Sequence, residues 1–118
     1  MPDTTHVALQ WLSAFNAHNL DELLALYSND AVHFSPKLKI RQPATGGFIK
    51  GKDALRKWWR DALDRLPTLH YKLVSLTGNG ERIFMEYIRQ VAGEEDMRVA
   101  EVLEIENQLI VASRVYHG

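Results

Sequence analysis

The chain has no cysteine, which removes disulfides, zinc–thiolate sites and thiol nucleophiles from consideration. No stretch approaches the roughly 18 apolar residues needed to cross a bilayer. The N-terminal MPDTTHVALQ lacks the charged-then-apolar order of a signal segment. An excess of either charge is also missing. With 14 Lys and Arg against 15 Asp and Glu, the net charge is -1, and a nucleic-acid partner would need a basic face. The expected protein is therefore cytoplasmic, with neither a nucleic acid nor a membrane as partner. None of the 5 histidines has metal-ligand spacing beside a carboxylate, so no metal and no cofactor are expected.

What is present suits one soluble domain over residues 1–118, with 46% hydrophobic and 25% charged residues. A chain of this size buries roughly two-thirds of its unfolded surface, enough for a core without cross-links. Val7, Ala8, Trp11, Leu12 and Phe15 form the stripe of a helix packed on one side, with Thr4 or Thr5 available to cap it. Asn16–Asn19 turns a corner. Asn19 with Glu22 opens a second helix as a capping box, and Leu20, Leu23, Leu24 and Tyr27 mark its buried face. Ser28-Asn29-Asp30 stops that helix, and Ala31–Ser35 forms a short strand that Pro36 ends.

The segment KLKIRQPATGGFIKG mixes bases with Pro43, Gly46 and Gly47 and reads as a strand fragment and a flap. Its bases could attract an anion or simply form a solvated loop. Ala54, Leu55, Trp58, Trp59, Ala62, Leu63 and Leu66 then give a third helical stripe, closed by Pro67. Four strands follow at 69–77, 81–91, 97–106 and 109–116. Their short connections make an antiparallel meander. The expected architecture is α+β: three N-terminal helices on a strongly curved antiparallel sheet, a cone-shaped half-barrel with one internal pocket.

Several segments carry a resemblance: Asn16-Ala17 with Leu20-Asp21, Leu26-Tyr27 followed by Asp30-Ala31, Pro36, Gly51 to Leu55, and Ser113 to Tyr116. In this order they resemble the nuclear-transport-factor-2-like superfamily, including its SnoaL-like polyketide cyclases and ketosteroid isomerases. That resemblance implies the cone-shaped fold and a homodimer formed through the sheet face. It does not imply one activity, because this fold hosts enzymes, binders and scaffolds. The aspartate base of the isomerases falls at Ser35. Their oxyanion tyrosine falls at Trp11, their supporting tyrosines at Tyr27 and Trp59, and their protonated aspartate at Glu101. A serine cannot take a proton beside a carbonyl without its own base, so isomerisation by that family's route is not expected.

Strand alternation nominates other groups. If Glu101 faces inward, so do Val99, Leu103 and Ile105. A lone acid on an apolar face is costly unless paired or neutral, which marks Glu101 as a candidate catalytic residue or a structural acid bonded to Trp11 or Tyr27. Glu86 stands on a strand apolar on both sides, either as a pocket acid or as an arginine-paired surface acid. His33 shares a face with Ser35, and opposite Glu101 or Glu86 it would make an acid–base pair; it could equally be a hydrogen-bonded structural histidine. His6, His18, His70 and His117 read as surface positions.

Trp11, Phe15, Tyr27, Trp58, Trp59 and Tyr116 supply an aromatic wall or core. Together with Ser35, Val99 and Leu103 they are the expected ligand-binding set. A small hydrophobic molecule is the expected partner, met by cyclase, isomerase or dehydratase chemistry or by binding alone; a dimeric scaffold is the alternative.

Overall fold

A computed structural model describes residues 4–117. Helix α1 (Thr5–Asn16) buries Val7, Ala8, Trp11, Leu12, Ala14 and Phe15, the stripe expected from the spacing. Thr4 precedes it without a side-chain capping bond. The corner at 17–19 contains His18 with φ 54, and Asn19 accepts the Glu22 amide to open α2 (Leu20–Ala25). Helix α2 ends earlier than expected. Tyr27 begins strand β1 (Tyr27–Phe34) rather than closing the helix. The polar Ser28-Asn29-Asp30 lies within that strand, where its pairing with the last strand slips between Tyr27 and Val32.

The largest departure from the sequence reading follows. Pro36 does not simply stop a strand; it is the first residue of a short helix, α3 (Pro36–Arg41), and the Ser35 side chain accepts the Lys37 amide. Proline is suited to that position because its missing N–H has no partner there anyway. A 3₁₀ turn (Pro43–Thr45) and strand β2 (Phe48–Lys50) complete the segment. Gly47 has φ +93, and a Cβ there would lie 2.6 Å from the Phe34 ring, so conformation and space both favour glycine at this point. Helix α4 (Lys52–Arg65) buries Leu55, Trp59 and Leu63.

Strands β3 (His70–Gly78), β4 (Arg82–Gln90), β5 (Met97–Glu106) and β6 (Leu109–His117) follow within a residue of the expected bounds. Asn107 and Gln108, with φ 51 and 64, make the two-residue turn between β5 and β6. The sheet order is β2-β1-β6-β5-β4-β3. It is curved and unclosed, and it is antiparallel except where β1 runs parallel to β6. The expected three helices thus become four, with α3 added at the rim. Helix α1 packs on β3 and α2, and α4 on β1 and β2.

The alternation on β4 and β5 sorts as the sequence suggests. Ile83, Met85, Tyr87, Val99, Glu101, Leu103 and Ile105 are buried beneath the helices. Phe84 (54% exposed) and Tyr116 (47%) stand on the outer face. Among the described residues no helix is long and apolar enough to cross a membrane.

Candidate functional site

The concave side of the sheet and the helices enclose a cavity of about 350 Å³, at the small end of the range for ligand pockets. Trp11 and Phe15 from α1, Trp58 and Trp59 from α4, and Tyr71, Tyr87 and Val99 from the sheet form its apolar wall. Trp59 is held in place by rings on three sides: Phe15 at 5.6 Å, Tyr27 at 5.1 Å and His33 at 5.2 Å.

Two polar constellations interrupt this wall. Glu101 is 1% exposed. Its Oε1 accepts the Tyr87 hydroxyl at 2.8 Å, while Oε2 is buried with no hydrogen-bond partner among the described residues. Burial disfavours the carboxylate and pushes its pKa up to about 8, against a smaller lowering by Tyr87. Tyr71 and Tyr87 are raised by burial and by the nearby Glu101 charge, so both remain protonated donors at neutral pH.

The second constellation is a directional chain. Trp11 Nε1 donates to the Tyr27 hydroxyl at 3.1 Å, and Tyr27 donates to Ser113 Oγ at 3.1 Å. Ser113 Oγ lies 2.6 Å from His33 Nδ1. An indole can only donate, so Tyr27 must pass its own proton onward to Ser113. Ser113 Oγ keeps its own proton and a second lone pair, so at His33 it either donates to an unprotonated Nδ1, leaving the ring hydrogen on Nε2, or accepts from Nδ1–H. Burial keeps the imidazole neutral in either case, pushing the His33 pKa down to about 3. The strand register explains the contact, because His33 pairs with Ser113 across the parallel β1–β6 ladder.

The expected residues divide clearly. Glu101, His33, Trp11, Phe15, Ser35, Trp58, Trp59 and Val99 all line the cavity. The Ser35 hydroxyl oxygen is engaged at 3.2 Å as the α3 cap. Glu101 does not bond to Trp11 or Tyr27, and His33 and Glu101 bond to Ser113 and Tyr87 instead of to one another. Tyr27 and Leu103 are wholly buried but do not line the cavity.

Two more expectations are corrected. Glu86 lies on the outer face, where it pairs with Arg98 at 3.0 Å; β4 is apolar on both sides, and its inward set is the one containing Tyr87. Tyr116 is also outward, since Val115 is the residue of that pair turned to the cavity. His117 is exposed, as expected, and also lines the cavity mouth, as do Lys37, Arg41, Arg65 and Arg89. Tyr71, Tyr87 and Arg89 were not singled out from the sequence. Tyr87 and Arg89 share a face with Ile83 and Met85, and choosing that face as the inner one would have found them.

The sequence profile of the SnoaL-like domain matches residues 8–113. The chain belongs to the SnoaL-like family. This SnoaL-like domain superposes on a SnoaL-like protein of unknown function from Burkholderia thailandensis with a TM-score of 0.84 at 23% identity, over 98% of this chain and 93% of that one. A Kribbella flavida protein provisionally named a ketosteroid isomerase aligns with a TM-score of 0.80 at 16% identity, over 98% and 77% of the two chains. A Sinorhizobium meliloti protein provisionally named a polyketide cyclase gives 0.77 at 15%, over 98% and 95%. At these identities the SnoaL-like domain shares their fold. No curated protein sequence matches it significantly.

Proposed function

We propose that this SnoaL-like domain holds a small, largely apolar molecule in its cavity and moves a proton on it with Glu101. The observation that carries the proposal is the buried carboxyl of Glu101, with one oxygen fixed by Tyr87 and the other unpartnered. With a pKa near 8 the group is mostly protonated at neutral pH, about a tenth being carboxylate at pH 7. An acid poised this close to the working pH serves in both directions. The carboxylate takes a proton from carbon beside a carbonyl, and the C–H electrons become an enolate. The same proton then returns to another carbon, giving isomerisation; where the enolate carbon instead bonds to a second carbonyl carbon of the substrate, the proton goes to the alkoxide oxygen so formed, giving ring closure, and neither course changes the net proton count.

His33 plays a different part from a base. Its low basicity makes it a poor proton acceptor at neutral pH, while in the tautomer with its hydrogen on Nε2 it is a neutral donor to a developing oxyanion. The names carried by the Kribbella and Sinorhizobium relatives, an isomerase and a cyclase, agree with carbon-centred proton transfer.

The test is deuterium exchange into 2-tetralone, a bicyclic ketone with acidic C–H groups. The native protein should accelerate exchange, and Glu101→Gln should reduce that by about 10²- to 10⁴-fold. Equal exchange by both proteins overturns the catalytic part. Binding without exchange favours a second reading, a non-catalytic binder, which the Ser35 hydroxyl spent on a helix cap supports. We further propose that a second copy of the chain covers the outer sheet face around Phe84 and Tyr116. A monomer at all concentrations in sedimentation would remove that part.

A further inference from the structure

The cavity is neutral within and positive at its opening. At neutral pH its inner groups, Glu101, His33, Tyr71 and Tyr87, carry almost no charge, for the reasons of burial already given. Charge begins one step further along β4. Arg89 follows Tyr87 on the inward face of the strand, and its side chain is only 7% exposed. Lys37 and Arg41 come from α3, and Arg65 from the end of α4.

Carboxylates offset these cations only in part. Glu94 reaches Arg89 at 2.8 Å, and Asp61 is shared between Arg41 at 3.5 Å and Arg65 at 2.9 Å. Lys37 has no ion pair among the described residues. Partial burial lowers the affinity of its ammonium for its proton most, and Arg89 lowers it further; Glu94 opposes this, while Arg41 and Arg65 add to it. A cation half out of water beside three others is stabilised by an anion that enters between them.

We infer that the ligand is an amphipathic acid: an apolar or aromatic body among the tryptophans, with a carboxylate at the mouth held by Lys37 and Arg89. This inference rests on the proposed pocket function and names its ligand class. The arrangement also orients the molecule. An ionised group would lose its hydration against the neutral inner wall, so the charged end must face outward and the uncharged end must meet Glu101. Ile40, 78% exposed on α3 at the same opening, supplies an apolar lip.

The probe is a shape-matched pair, 2-naphthoate and 2-naphthamide, titrated calorimetrically into the full chain. A charge-assisted bond exceeds a neutral one sufficiently to predict about tenfold tighter binding of the acid at low salt. High salt should shrink that ratio, and Lys37→Met should collapse it. Equal or weaker binding of the acid, or a ratio that neither salt nor Lys37→Met changes, overturns the inference while leaving the apolar pocket in place. Failure of both compounds to bind removes the pocket function and the inference together. If Lys37→Met does not fold, the salt dependence of the native ratio decides.

Discussion

Tyr87 and Glu101 stand on neighbouring antiparallel strands, two residues out of register, and the phenol donates to the carboxyl Oε1 at 2.8 Å. The bond steadies the carboxylate, so it opposes the rise in pKa that burial imposes. Tyr87→Phe should therefore push the Glu101 titration higher still and leave Oε1 short of a partner. The expected stability cost is about 1–3 kcal/mol. Carbon NMR of the labelled carboxyl reads the first effect, and urea unfolding the second.

Stability should peak in mildly acidic solution. Glu101 titrates near 8 when folded against an ordinary 4.5, so the folded chain binds its proton more tightly. The resulting stability is complete below pH 4.5 and drains away as pH rises to about 8. His33 has the opposite sign: at about 3 against 6.5, its contribution is complete above 6.5 and is lost toward 3. Each shift corresponds to something on the order of 5 kcal/mol. Between pH 4.5 and 6.5 the two slopes cancel, giving a plateau that falls on both sides. Glu104 and Glu94, held down by arginine partners, and the lowered His117 steepen the acid side. Glu101→Gln should flatten the fall above pH 6.5 and, with the His33 slope no longer cancelled, turn the plateau between 4.5 and 6.5 into a rise with pH in a series of denaturant titrations.

Ser113→Ala should release the His33 tautomer. The serine accepts from Tyr27 and faces His33 Nδ1, so its loss leaves a buried phenol without an acceptor at about 1–3 kcal/mol. Nitrogen NMR of the native protein should show an unprotonated Nδ1 and a protonated Nε2. The variant should show a mixture. A native Nδ1–H would mean that Ser113 accepts from His33 as well as from Tyr27, and the donor role given to Nε2 would be lost.

The strands of the C-terminal half were legible because period-two alternation survives in IFMEYIRQ and MRVAEVLEIE, and α1 and α4 because their apolar stripes are broad. Helix α3 was not, since PKLKIR buries only Leu38 and has no stripe to read. Tyr27 followed a leucine-rich helix and preceded polar residues, which hid the start of β1. Glu101 was found because its inward neighbours are all apolar. Glu86 could not be separated from it by pattern alone; Arg98, across the β4–β5 ladder, makes the difference. Ser113 became part of the site only through the parallel β1–β6 pairing, a contact between distant segments that local sequence does not encode.

Gly47→Ala tests the turn that seats β2 beside β1. The positive φ and the Phe34 ring both oppose a side chain there. A loss of about 1–3 kcal/mol is expected, measured by thermal unfolding.

The protonation of the inner acid can be observed directly. Carbon NMR of a protein labelled at glutamate carboxyls, with Glu101→Gln identifying the resonance, should give a midpoint near pH 8. A midpoint in the ordinary range near 4.5 would mean a solvated, ionised carboxylate, and the proton-transfer role assigned to Glu101 would be lost.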